Sequence, residues 1–161
     1  FPAINWLNSY SLYPQALDQW YRDNIASDFP EVRTEISTLL QIESELQEIV
    51  QLVGSDALPI DQQLTLEVAR MIREFFLQQN AFHDVDTFSD LDLQYHMAKA
   101  ILTFQEEAKK AIAGGGQLED VVNVPARTDL MRGRFEKGYA ERINDLVSEM
   151  SKQIDSSMEA N

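Results

Sequence analysis

The chain has 161 residues, 27 acidic against 13 basic side chains for a formal net charge of −14, and no cysteine. That charge argues against nucleic acid or an anionic membrane as partner, because both present phosphate, and it makes a basic partner easier to accommodate. The missing cysteines remove disulfides and thiolate metal sites, which is compatible with the cytoplasm. No apolar run approaches the roughly 20 residues that span a bilayer, and glycine and proline are few beside Leu, Glu, Gln and Ala, so the expected class is all-α with one core.

Residues 1–13, FPAINWLNSYSLY, are dense in large apolar side chains without a helical period, and Pro2 keeps Phe1 extended; they read as a packed connector in which Trp6, Tyr10 and Tyr13 serve packing. Phe1 opens inside what reads as a folded segment, so the chain is expected to be part of a longer protein. Pro14 suits the first position of a helix that places Leu17, Trp20, Tyr21 and Ile25 on one side. Pro30 reopens a long helix with a stripe of Val32, Ile36, Leu39, Leu40, Leu46, Ile49, Val50 and Val53, closed by Gly54. The acids of its other face, Glu35, Glu43, Glu45 and Glu48, read as solvated.

The next stretch, residues 54–88, says most about function. A loop with Asp56, Leu58, Pro59, Ile60 and Asp61 leads into a helix whose Leu64, Val68, Met71, Ile72 and Phe75 form one apolar face ending near residues 78–80. A second loop then carries Phe82, His83, Asp84, Asp86 and Phe88. Ser89 is the expected N-cap of a third helix with Asp90 and Asp92 in its first turn and a stripe of Leu91, Tyr95, Ala98, Ile101, Leu102, Ala108 and Ile112. Gly114, Gly115 and Gly116 stop it; Glu106, Glu107, Lys109 and Lys110 read as an ion-paired exposed face. LEDVVNV is short and apolar, Pro125 breaks it, and from Ala126 one helical pattern runs through Leu130, Phe135, Tyr139, Ile143, Leu146, Met150 and Ile154, with SSMEAN expected to fray.

A phosphate-handling site needs a glycine-rich loop with a lysine after a strand. The chain's glycine cluster, AGGGQ, follows a helix and lacks the lysine. The spacing of His83, Asp84, Asp86, Asp90, Asp92 and His96 does not force a metal site, since Asp90 and Asp92 are explained by the helix dipole.

EVARMIREFFLQQNAFHDVDTF at residues 67–88, together with FPAINWLNSYSLY before it and QYHMAKAIL after it, resembles the C-terminal domain of the catalytic A subunit of V-type and archaeal-type rotary ATPases. The resemblance implies an all-α helical bundle over residues 1–161, with residues 1–13 connecting to a nucleotide-binding domain upstream. It implies ATP or ADP with Mg²⁺ as ligands of the full-length polypeptide and none for this part alone. Phe82 first, and Phe88 second, would lie against adenine, where a purine stacks well on an aromatic ring. Residues 54–61, with Asp56, Leu58, Pro59, Ile60 and Asp61, would take the place of the lever loop that pushes on the central shaft. The implied partners are the non-catalytic B subunit, the chain's own upstream domain and the shaft of the central stalk. The setting would be the soluble ATPase head, cytoplasmic and peripheral to a membrane across which H⁺ or Na⁺ moves. Two other readings stay open at this point: a freestanding acidic helical adaptor for a basic partner, and the same domain of a non-catalytic paralogue.

Overall fold

The computed structural model describes residues 14–78, 90–133 and 138–159. Among the described residues the chain forms α-helices and no strand, in the order α1 (Pro14–Asn24), α2 (Phe29–Val53), a 3₁₀ turn (Ser55–Ala57), α3 (Ile60–Met71), a π-helical turn (Ile72–Leu77), α4 (Leu91–Ala113), α5 (Leu118–Val122), α6 (Pro125–Gly133) and α7 (Tyr139–Glu159). The all-α expectation holds. Prolines open α1 and α6 and stand at the second position of α2, where a missing N–H costs nothing.

The centre of the bundle is α4, which packs against α2, α3, α5 and α7. Its buried arc is wider than the sequence stripe, taking in Met97, Ala100, Phe104, Gln105 and Ala111 as well as Ala98, Ile101, Leu102 and Ala108. A helix surrounded on several sides buries more than one face. The N-cap is Asp90, whose Oδ1 accepts from the Leu93 N–H at 2.7 Å, one residue beyond the expected Ser89. At the other end the Gly115 N–H donates to the Ile112 carbonyl and the Gly116 N–H to that of Ala111, with Gly115 at φ 97°. This pair of bonds is a Schellman cap, and the left-handed residue it needs is why glycine stands there.

The expected stripe of α3 and its extension is buried throughout: Leu64, Val68, Met71, Ile72 and Phe75 are all under 10% exposed. The long C-terminal pattern, in contrast, is two helices. The Tyr139 hydroxyl donates to the Leu130 carbonyl at 2.6 Å, whereas nine residues of continuous helix would separate them by roughly 13 Å. Gly133 makes the fold-back possible, because a Cβ there would lie 2.6 Å from the Tyr139 ring. Tyr139, Ile143, Leu146, Met150 and Ile154 then bury one face of α7, and α7 persists to Glu159. In α1, Tyr21 stacks on Phe29 at 4.9 Å between centroids, while Leu17 and Trp20 stay largely exposed.

Two polar groups tie the layers together. Asp28, between α1 and α2, accepts from the Tyr95 hydroxyl at 2.8 Å and the Lys99 ammonium at 2.5 Å. These bonds hold its carboxyl below the usual carboxylate range. Arg127 of α6, 5% exposed, donates to the Val122 carbonyl at 2.6 Å and to Glu67 at 2.9 Å. It also lies 5.2 Å from the centre of the Phe104 ring.

Candidate functional site

The most prominent exposed feature is the hairpin of α2 and α3. Between residues 34 and 69 it carries Glu35, Glu43, Glu45, Glu48, Asp56, Asp61 and Glu67 and no lysine, arginine or histidine. Its turn is closed by its own backbone: the Gly54 N–H donates to the Val50 carbonyl at 2.9 Å and the Leu58 N–H to that of Ser55 at 3.1 Å. The Gln63 side chain also donates to the Leu58 carbonyl at 2.8 Å. Leu58 turns inward, 6% exposed, and anchors the turn. Asp56, Pro59, Ile60 and Asp61 stay at the surface.

The last turns of α2 depart from the sequence reading. Val32 to Leu46 supply its core face, but Ile49 is 44%, Val53 60% and Leu52 85% exposed. The apolar period of the helix outruns the layer beneath it, and periodicity alone does not report where that layer stops. Glu43 departs in the other direction. Expected on the solvated face, it is 5% exposed, with Oε1 2.6 Å from Arg73 Nη1. The contact is an ion pair without an aligned hydrogen-bond donor on that oxygen. Burial pushes the Glu43 carboxyl up, opposed by the Arg73 charge and by a hydrogen bond with Gln47.

Arg73 sits in the π-helical turn that prolongs α3. The Gln78 N–H donates to the Arg73 carbonyl, five residues back, at 3.0 Å. Such turns recur at functional sites because they re-aim side chains within a helix. This one leads directly into residues 79–89. Phe82 and Phe88, with His83, Asp84 and Asp86, lie outside the described residues. Where the two ends of that segment emerge, Phe76, Leu77, Leu91 and Gln94 line a cavity of about 330 Å³ whose opposite wall is Tyr21, Phe29 and Arg33. Its lining is mainly apolar and aromatic. The described acids nearby are engaged or exposed: Asp90 caps α4, and Asp92 lies 3.7 Å from His96 Nε2. Among the described residues no three His, Cys, Asp or Glu side chains cluster as a metal site, and no helix is long and apolar enough to cross a membrane.

The features that the sequence reading missed, Leu52 as a tip residue, the π-helical turn and the Glu43–Arg73 pair, had no distinct signal in composition. The described residues thus form a helical bundle that extends an acidic, apolar-tipped hairpin at one end and holds an aromatic-lined cavity at the other.

Comparison with known proteins specifies it. The family model for the C-terminal domain of V and A type ATP synthase matches residues 18–122. The chain is 49% identical over 154 residues to the A subunit of the A-type ATP synthase of Methanosarcina barkeri. It is 51% identical over 154 residues to that of Natronomonas pharaonis. It is 48% identical over 157 residues to the V-type ATP synthase alpha chain 1 of Clostridium tetani. Each alignment covers 96% of this chain but only 26–27% of the relative. The chain belongs to the family of C-terminal domains of V and A type ATP synthases.

Proposed function

We propose that the chain is the coupling domain of a rotary-ATPase catalytic subunit: it closes on an upstream nucleotide-binding domain when ATP binds, completes the adenine pocket, and carries that closure to the central shaft. The observation that carries the reading is the α2–α3 hairpin, whose stiffly closed turn and exposed apolar end lie beyond a well-packed base. In this reading ATP or ADP with Mg²⁺ binds the full-length polypeptide. Non-catalytic B subunits alternate with it in a head on the cytoplasmic side of the membrane, and turnover is coupled to H⁺ or Na⁺ movement. In the same reading the phosphate and Mg²⁺ ligands come from the upstream nucleotide-binding domain. Isothermal calorimetry on this chain alone is therefore expected to find ATP affinity no tighter than about millimolar, because one aromatic stack does not offset the cost of immobilising a nucleotide. Micromolar binding would mean a complete site within these residues.

Phe82, with Phe88 second, is assigned to adenine. The aromatic-lined cavity at the two ends of their segment supports this. Phe82→Ala in the assembled enzyme is expected to raise KM for ATP about ten-fold with a smaller change in kcat, since the stack is present in ground and transition states alike. An unchanged nucleotide affinity removes Phe82 from the pocket.

Residues 54–61 are assigned to the shaft, with Asp56, Pro59, Ile60 and Asp61 as the contacting side chains and Leu58 as the anchor behind them. Cysteines introduced as Ser55→Cys or Ile60→Cys are expected to cross-link to cysteines on the shaft, against a background free of native cysteine in this chain. A complex that turns over without ever cross-linking at either site refutes the lever assignment.

A further inference from the structure

Four of the seven large apolar side chains that stand exposed among the described residues, Ile49, Leu52, Val53 and Ile60, fall within one stretch at the hairpin's end. Single exposed leucines are ordinary on a protein surface. A cluster is not, and this one has exposed Glu45, Glu48, Asp56 and Asp61 around it with no positive side chain on the hairpin from 34 to 69. The acids alone would be a solvated rim. Together with the apolar centre they specify what can cover it.

We propose that the last turns of α2, rather than the loop acids, carry the docking contact of the hairpin, and that the occupant is a protein surface with an apolar centre and lysine or arginine around it. The partner's identity as the shaft rests on the function proposed above; its chemistry does not. An anionic lipid surface is repelled by the rim, as is nucleic acid. A small ligand needs a concavity, whereas Leu52 at 85% exposure stands proud of the surface. A protein with basic side chains about an apolar seat satisfies both parts. The two parts then divide the work: opposite charges at the rim speed encounter and weaken with salt, while the desolvated apolar centre sets how long the complex lasts.

The experiment uses the reconstituted head and its shaft protein. Head carrying Leu52→Ser with Val53→Ser is compared with head carrying Asp56→Asn with Asp61→Asn, and shaft association and dissociation rates are measured at low and high salt. Both residues of the serine pair are mostly exposed, so the helical circular-dichroism signal and melting temperature should be unchanged; Leu52→Gln is a second, milder variant. The serine pair is expected to speed dissociation about ten-fold or more at either salt concentration. The asparagine pair is expected to slow association several-fold at low salt only. If the serine pair dissociates like the wild type while Ser55→Cys still cross-links to the shaft, the inference is overturned and the shaft reading survives. If Leu52→Cys cross-links to a neighbouring head protein instead, the shaft is the wrong partner. Serine and asparagine effects in the reverse order would make the contact electrostatic and overturn the proposal.

Discussion

Arg127→Ala is expected to cost about 2–4 kcal/mol of folding stability, from the hydrogen bonds lost and the space opened in the core. Its guanidinium joins three parts of the chain: the Val122 carbonyl at the end of α5, Glu67 on α3, and the Phe104 ring of α4. Nε also lies 3.4 Å from the Met71 sulfur. Burial lowers the pKa of the group, and the Glu67 charge and hydrogen bond oppose that. Removal leaves the Val122 carbonyl without this donor and opens space beside Phe104, while Glu67 keeps Arg70 at 3.0 Å. Arg127→Lys should recover only part of the loss, because one ammonium cannot reach all the partners of a planar fork. Urea unfolding checks it: the midpoint falls with an unchanged slope. A loss under about 1 kcal/mol would mean that the cluster is held by packing alone.

The second large effect is pH-dependent. Arg73→Ala is expected to destabilise the chain by about 3 kcal/mol near neutral pH, because it leaves Glu43 as a buried carboxylate without its counter-charge. Glu43→Gln should cost much less, since the Arg73 side chain is 37% exposed and can stay hydrated. The folded-state pKa of Glu43 is raised, by burial first. Over the pH range between its unfolded and folded values, the folded state therefore binds more protons than the unfolded state, and stability falls as pH rises. Without Arg73 the pKa rises further, so the variant's deficit should shrink on acidification from neutral pH toward about pH 5. Asp28 moves oppositely: its folded pKa is lowered, and its contribution is lost as pH falls through that value. Measuring each variant against wild type at the same pH cancels the Asp28 contribution. A deficit that is constant across this range would show that Arg73 acts by packing rather than by compensating Glu43.

What is legible in the sequence follows from what periodicity encodes. Leu64, Val68, Met71, Ile72 and Phe75 are legible as one buried face because each repeats against a continuous layer. The glycines after α4 are legible as a stop because a helix cap has a local residue requirement. Ile49, Val53 and Glu43 depart from expectation for a common reason: exposure depends on where the neighbouring helix ends and what it carries, and neither is local. Tyr139 shows the same limit. Its four-residue spacing from Ile143 is helical, but only the absence of a side chain on Gly133 lets the chain fold back onto Leu130 there. The hairpin turn falls where the sequence places it, while the roles within it are not separable there, since nothing in LPI distinguishes an anchor such as Leu58 from an exposed residue such as Ile60.

The 25 residues of α2 give it a length of roughly 37 Å. Its core face is held from Phe29 to Leu46 and only its final turns are bare, so the exposed end overhangs the packed part by roughly 10 Å. A rotation of the whole bundle by about 10° about the first turn of α2 would sweep that end through roughly 6 Å, about the pitch of one helical turn. Leu52 and Val53 stand where that arc is widest, so a small rotation of the bundle becomes, at its tip, a displacement as large as a side chain.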